Sequence, residues 1–223
     1  MTYIRANKEE IDAWERLGNK GWTWKSLLPY YRKAERYFIP TPDQFSIGAT
    51  YEPKYHNFKG PLHVGYSRDL VKSDSGPRII KAWDSLGVPL NPDFNSGDIR
   101  GVAIGPQTLD PPSDMRWDAA RAYVYPVEKR KNLKVLKGTV RKLLWSKKPQ
   151  KGPKSHGKLQ AEGVEYFAPD GRPKSLYATK EVIVSAGGLR TPGILEASGI
   201  GNPRFVQLSE LLLAEFPAYV SFI

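Results

Sequence analysis

The stretch from Glu181 to Gly201, EVIVSAGGLRTPGILEASGIG, constrains the fold of this chain more than any other. Its β-branched run Val182-Ile183-Val184 suits a strand buried on both faces. Ser185-Ala186-Gly187-Gly188 follows as a small-residue turn, where glycine lets backbone approach a neighbour or a ligand closely. Thr191-Pro192 reads as a helix start, because proline fits the first helical position, where its missing N–H is not needed. The order strand, glycine turn, helix predicts a central strand feeding a helix. It is a common phosphate- and nucleotide-facing unit, and many chains carry it for packing only.

Upstream of this unit the periodicity changes twice. Glu9 to Leu17 carries Ile11, Trp14 and Leu17 at helical spacing. Trp22 to Phe38 reads as a longer helix, with Leu27, Leu28, Tyr31, Ala34 and Tyr37 on one side and Pro29 near its first turn. Pro40 and Pro42 stop it. Thr41 to Gly65 is rich in Pro, Gly and aromatics, with a short strand at Leu62-His63-Val64. Pro77 to Leu86 looks helical, Asn91 to Pro112 is loop-like, and Arg116 to Lys129 reads as a helix bent or stopped at Pro126. From Leu133 the pattern becomes that of strands: Leu133–Leu136, Val140–Trp145, Ala161–Phe167 and about Ser175–Ala178. They form an antiparallel meander leading into Val182. The apolar tail from Phe205 to Ile223 suggests a helix over Leu208–Phe216, and little order is expected of it.

Composition narrows the function classes. The 223 residues hold no cysteine, so neither a disulfide scaffold nor thiolate chemistry is available. No run approaches the ~18 apolar residues of a membrane span, and Met1 to Trp14 lacks the layout of a secretory signal. The net charge of +11 gathers in two runs, Lys129–Lys142 and Lys147–Lys158. An anionic partner would explain them, but so would a solvated face and a basic hairpin loop. No zinc spacing, recognition helix or RNA-binding aromatic motif accompanies them, so no nucleic-acid partner is expected.

The string from Gly187 to Gly201 resembles the second motif of the glucose-methanol-choline (GMC) flavoprotein oxidoreductases: Thr191-Pro192, Ile194-Leu195 and Ser198-Gly199-Ile200-Gly201 fall in its fixed positions, with Gly188 as a departure. Other segments match in order. Met1 to Arg5 resembles the end of the N-x-M-x-Y-x-R segment. Asp12-x-Trp14, Gly21-Trp22-x-Trp24, Pro29-Tyr30-Tyr31 and Glu35 come next as in the family, as do Gly60 to Val64, Asp93-Phe94-Asn95, Arg116 to Pro126 and Asn132 to Leu136. The likeness covers about residues 1–204 and is nearest to fungal members of the glucose oxidase and aryl-alcohol type. It implies an α/β (or α+β) fold: part of a Rossmann-like FAD-binding domain with an antiparallel β-meander and a helical, substrate-side region. Residues 205–223 match nothing expected of the family.

The resemblance implies FAD as cofactor and oxidation of an alcohol or sugar. It places Thr2 beside the flavin, Val140 where a strand offers its backbone to the adenine, and Ala186 and Gly187 under the nucleotide. Val140 also reads as a core valine, and Ala186-Gly187 as a tight turn. Arg5 faces either anionic cofactor groups or solvent. Fungal members are often secreted. No G-x-G-x-x-G occurs in the chain, and its three histidines, His56, His63 and His156, all precede Gly201. None matches the family's catalytic base, so no catalytic residue is assigned and these 223 residues are expected to be an internal part of a family protein, inactive alone. The alternative is a non-catalytic basic binding domain.

Overall fold

The computed structural model describes residues 1–146, 160–202 and the backbone of 219–222, in two compact units, Met1–Lys129 and Arg130–Ile223. The second basic run, His156 within it, and the helix expected over 208–216 lie outside the described residues. No described helix is long and apolar enough to cross a membrane.

The first unit is helical at its start. Helix α1, Lys8–Arg16, is opened by a capping box between Asn7 and Glu10, and α2, Trp24–Ala34, by one between Thr23 and Ser26. The cap starts α2 two residues later than expected, and Pro29 lies inside the helix rather than in its first turn. At Glu35 the chain leaves the helix for strand β1, Glu35–Tyr37, which pairs in parallel with β2, Leu62–Val64. Helical periodicity continues through Tyr37 in the sequence, but the buried partners of Glu35 described below take the backbone out of the helix. Gly60 makes the junction possible: a Cβ there would lie 2.5 Å from backbone atoms of Ala34 and Glu35.

Short helices α3, Pro42–Ser46, and α4, Ser75–Ser85, precede a long irregular stretch. The helix expected from Arg116 begins late. Met115–Arg116 forms β4 against β3, Leu109–Asp110. Trp117 is tied down by bonds from its backbone N–H to the Thr108 carbonyl (3.0 Å) and from its indole to the Pro61 carbonyl (2.9 Å). Beyond it the chain makes a wide π-type turn over Ala120–Val124 and a tight one over Tyr125–Val127. Pro126 has no N–H to give, so a regular ladder cannot run through it. Tyr37, Ala49, Val64 and Tyr66 form the unit's apolar core. Of the aromatics of this unit, Trp24 and Tyr37 are buried, whereas Trp14, Trp22 and Tyr30 are exposed.

The second unit contains the expected meander. Strands β5 (Leu136–Trp145), β6 (Ala161–Phe167) and β7 (Pro173–Tyr177) are antiparallel neighbours, and the separate strand expected at Leu133 is only the approach to β5. On the other edge of β5, β8 (Tyr219–Phe222) pairs with Leu136–Thr139, giving the order β7-β6-β5-β8. The sequence predicts no strand there.

The expected central strand at Val182 is not formed. Glu181 to Ser185 belongs to no strand and pairs with no described strand, and Ile183 is 76% exposed. A β-branched run becomes a strand only where a neighbour supplies the ladder. Here Val182, Val184 and Ala186 lean on the core of Val140, Leu143, Val164 and Ile194, while the alternate residues face out. The next helix, α5, spans Arg190–Ala197. Thr191 is therefore not its cap. Its hydroxyl accepts the Ala186 N–H at 3.0 Å, and Pro192 sits inside the first turn, where it is equally tolerated.

The Ser-Gly-Ile-Gly end of the motif has a structural task. Gly199, at φ +84°, ends α5 in the left-handed conformation, with Gly199 N–H bonded to Glu196 and Ile200 N–H to Leu195. Ser198 fastens the helix to the sheet. Its hydroxyl accepts the Leu143 N–H at 2.8 Å and donates to the Ile194 carbonyl, and its own carbonyl accepts the Trp145 indole N–H at 2.7 Å. Ser198→Ala leaves the buried Leu143 N–H without that acceptor. We expect a loss of about 1–3 kcal/mol, read as a lower urea midpoint at unchanged slope. No change in the midpoint would show that the staple carries no energy.

Candidate functional site

In the first unit the sequence brings four ionisable side chains together in the interior. Arg5 comes from the N-terminal segment, Glu35 from the α2–β1 junction, His56 from the loop before β2 and Asp93 from the loop at 91–98. All four are buried, Glu35 completely. They form a chain of alternating charge. Arg5 Nη2 lies 3.1 Å from Glu35 Oε2, His56 Nδ1 lies 3.0 Å from the same oxygen, and His56 Nε2 lies 2.8 Å from Asp93 Oδ2.

Neighbouring donors complete each carboxylate. Glu35 Oε2 also accepts the Asn57 N–H, and Asp93 accepts the N–H groups of Glu52 and Asn95. Both His56 nitrogens therefore face acceptors that already hold other donors, and only the imidazolium satisfies both with an N–H. Burial alone would lower the pKa of His56, but its bonds to Asp93 and Glu35 outweigh that and raise it. Burial would raise that of Asp93, but the His56 bond and charge hold it below the usual carboxylate range. The Tyr37 ring lies 3.9 Å from that of His56, and its hydroxyl meets that of Tyr66, whose phenol is pushed up to about 12, chiefly by burial.

Arg5 thus faces neither cofactor nor solvent. Its guanidinium also donates to the carbonyls of Tyr55 (2.7 Å) and Asn95 (3.1 Å). His56, placed in a loop by the sequence, is an interior residue. With both ring nitrogens donating it has no lone pair to take a substrate proton. His63 bonds through Nδ1 to Asp110 at 2.9 Å and stacks flat on Trp117 at 4.0 Å, joining β2 to β3. Among the described residues no group of three or more His, Asp or Glu could hold a metal.

Of the residues assigned to the cofactor, Thr2 belongs to the first unit. It is exposed and bridges Gln107, while Met1 and Tyr3 bond to Thr108 and Pro106 on either side. The other three lie in the second unit. Val140, 4% exposed, and Ala186 line one groove of about 660 Å³, whose other walls include Leu143, Val164, Val184 and Ile194. Gly187 comes directly after, exposed, at φ +89°, with no heavy atom within 4 Å of where a Cβ would stand.

An adenine dinucleotide needs an apolar slot for a flat ring, a free backbone edge and close backbone approach. The groove is apolar, among the described residues β8 pairs β5 only as far as Thr139 with Ser198 taking up the Leu143 N–H beyond it, and a Cβ at Gly187 would meet nothing within 4 Å. These residues fit the adenine end of FAD. A pyrophosphate needs converging N–H donors or cations, and among the described lining residues Lys134 is the only cation.

Residues 1–210 match the GMC oxidoreductase family, and the chain belongs to it. It is 57% identical over 191 residues to the glucose oxidase-like protein fsoC of Humicola fuscoatra, covering 86% of this chain and 32% of that protein. It is 36% identical over 204 residues to the glucose oxidase of Penicillium chrysogenum, covering 90% and 32%. Among solved structures, an FAD-dependent oxidoreductase from Chaetomium thermophilum is similar at a TM-score of 0.78 and 31% identity, over 93% of this chain and 34% of that one. The chain spans about a third of the length of the curated relatives it matches.

The charge chain sets a pH window for the first unit. The raised His56 contributes stability that is complete below its unfolded pKa of about 6.5 and is lost as pH rises through its folded value. The lowered Asp93 contributes stability that is complete above about 3.9 and is lost as pH falls through its folded value. Thermal unfolding of the first unit should therefore be latest between these limits. His56→Gln should remove the alkaline decline while lowering the midpoint throughout. An alkaline decline of the same size in the variant would assign it to other groups.

Proposed function

We propose that this chain supplies part of the FAD-binding domain of an oxidoreductase acting on the CH–OH group of an alcohol or sugar. The observation that carries this is the groove where Val140 and Ala186 meet beside Gly187, where the space for a Cβ is open, in a chain of this family. Val140 would offer its backbone edge to the adenine, Ala186 and Gly187 would let the nucleotide lie close, and Thr2 would stand on the flavin side. When bound, FAD would supply the hydride acceptor, and the chain's own residues would bind and orient it and keep water from the groove.

The resemblance places the base that takes the hydroxyl proton beyond Gly201, and no residue here is assigned that role. Together with the absence of G-x-G-x-x-G, this supports a finer reading. The 223 residues alone hold FAD weakly and do not turn over, since loss of a general base commonly costs about 10²–10⁴-fold.

The test compares this chain with a longer form that carries a G-x-G-x-x-G strand and turn upstream and the substrate domain downstream. The longer form should purify yellow with stoichiometric flavin and reduce a dye when an alcohol or sugar is added. The 223-residue form should do neither. Full flavin content and turnover in the short form would refute the finer reading. A longer form without flavin would refute the assignment to FAD.

A further inference from the structure

The buried charge chain does more than fill the first unit, because of what hangs from its ends. At one end Arg5 gives four hydrogen bonds: its backbone N–H to Asn95 Oδ1, and its guanidinium to Glu35, Tyr55 and Asn95. The guanidinium therefore holds the segment Met1–Arg5 against the interior. Its grip depends on Glu35, which Arg5 shares with His56. At the other end Asp93 orders the loop that supplies Asn95. Arg5 thus reaches His56 by two routes, through Glu35 and through Asp93 and Asn95.

We propose that His56 is a positioning residue, a charged clasp whose imidazolium holds Glu35 and Asp93 in place for Arg5 and so fixes the Met1–Arg5 segment, and that loss of its proton at alkaline pH releases that segment.

A neutral imidazole has one N–H and one lone pair. Whichever tautomer forms, one carboxylate then meets a lone pair at 2.8–3.1 Å instead of a donor. Glu35 and Asp93 are left as two buried anions with Arg5 as their one cation, and water or backbone movement must compensate. Among the described groups around the ring one further cation is present, Arg32, and it faces the His56 backbone rather than the ring nitrogens. Tyr37 lies on one face and Tyr51 meets the ring edge-on, both from the aromatic core. Arg32, on α2, spends its Nε on the His56 carbonyl. Tyr66 is engaged with Tyr37 and the Thr50 carbonyl. Arg5 Nε is buried with no partner, so the guanidinium is already one acceptor short and a loss at Glu35 would leave a second buried N–H unpaired.

The segment so held carries Thr2. This part of the inference rests on the flavin-side reading proposed above: release of the segment would weaken flavin retention. The clasp itself does not need that reading.

Imidazole nitrogen shifts and amide exchange, corrected for intrinsic rate, would be followed together in the full 223-residue chain from neutral to alkaline pH. His56 should keep two bonded N–H groups above the ordinary histidine pKa of about 6.5. Once it titrates, protection of the Arg5 amide should fall by on the order of tenfold per pH unit, while the Val164 amide in the second unit is unaffected. Asp93→Asn should move both events to lower pH together. His56→Gln should leave Arg5 poorly protected and without a pH step, and His63→Gln should match the parent chain. A His56 that titrates as a free histidine, or Arg5 protection indifferent to its titration, would overturn the proposal, as would equal loss at Val164. A parallel FAD titration in the longer form, on either side of the step, separates the two readings. Weaker binding above the step supports both. A step at Arg5 with unaltered FAD binding leaves the clasp standing and removes Thr2 from the flavin side.

Discussion

Four charges in a row, Arg5, Glu35, His56 and Asp93, hold the first unit in its shape. Its strands are only two or three residues long, and most of its chain between Pro89 and Thr108 is irregular. Such a unit cannot rely on sheet ladders to bring distant segments together. The ion chain does so by joining the N-terminus, the end of α2, the loop before β2 and the 91–98 loop. Replacing a complete buried ion pair by apolar groups is often neutral, whereas removing one partner costs about 3–5 kcal/mol. The chain's value is accordingly one of specification: each member can sit only where its neighbours are. Glu35 shows the effect on local structure, since it ends α2 four residues before the helical pattern does.

The second unit is built on a different principle. Its sheet has a regular ladder, and Ser198 locks α5 onto β5. What it leaves without a ladder, among the described residues, is the segment at Val182–Val184, which has apolar contacts on one side only, and β5 between Thr139 and the bond of Leu143 to Ser198. The groove bounded by these features is apolar because both of its walls are the inner faces of elements that pack on Val140 and Ile194. The same small residues that allow the turn, Ala186 and Gly187, keep its end free of side chains.

Much of this was legible in the sequence, for identifiable reasons. The meander could be read because the apolar patterning of a strand needs only local information. The segment Val182–Val184 shows the limit: its residues state a preference for a strand, but a ladder needs a neighbour, and none of the described strands lies beside it. The helix expected through Arg116 failed because Trp117 has tertiary partners in Pro61, Thr108 and His63 that no periodicity reports. The ion chain was the largest omission. Arg5, Glu35, His56 and Asp93 are up to 88 residues apart in number, and a buried charge looks like a surface charge until its partners are known. The one signal available was that Arg5, Glu35 and Asp93 each lay within a stretch resembling the family.

The groove beside Gly187 is where the geometry and the family membership of the chain meet. A direct test is to add ADP to the isotopically labelled chain and record which backbone amides shift. ADP carries the adenine end without the flavin and does not require a complete catalytic site. The account predicts saturable shifts at Val140, Ala186 and Gly187, with Arg5 and Asn95 unmoved. Shifts confined to the basic residues around Lys129–Lys142, or none at the groove, would contradict it.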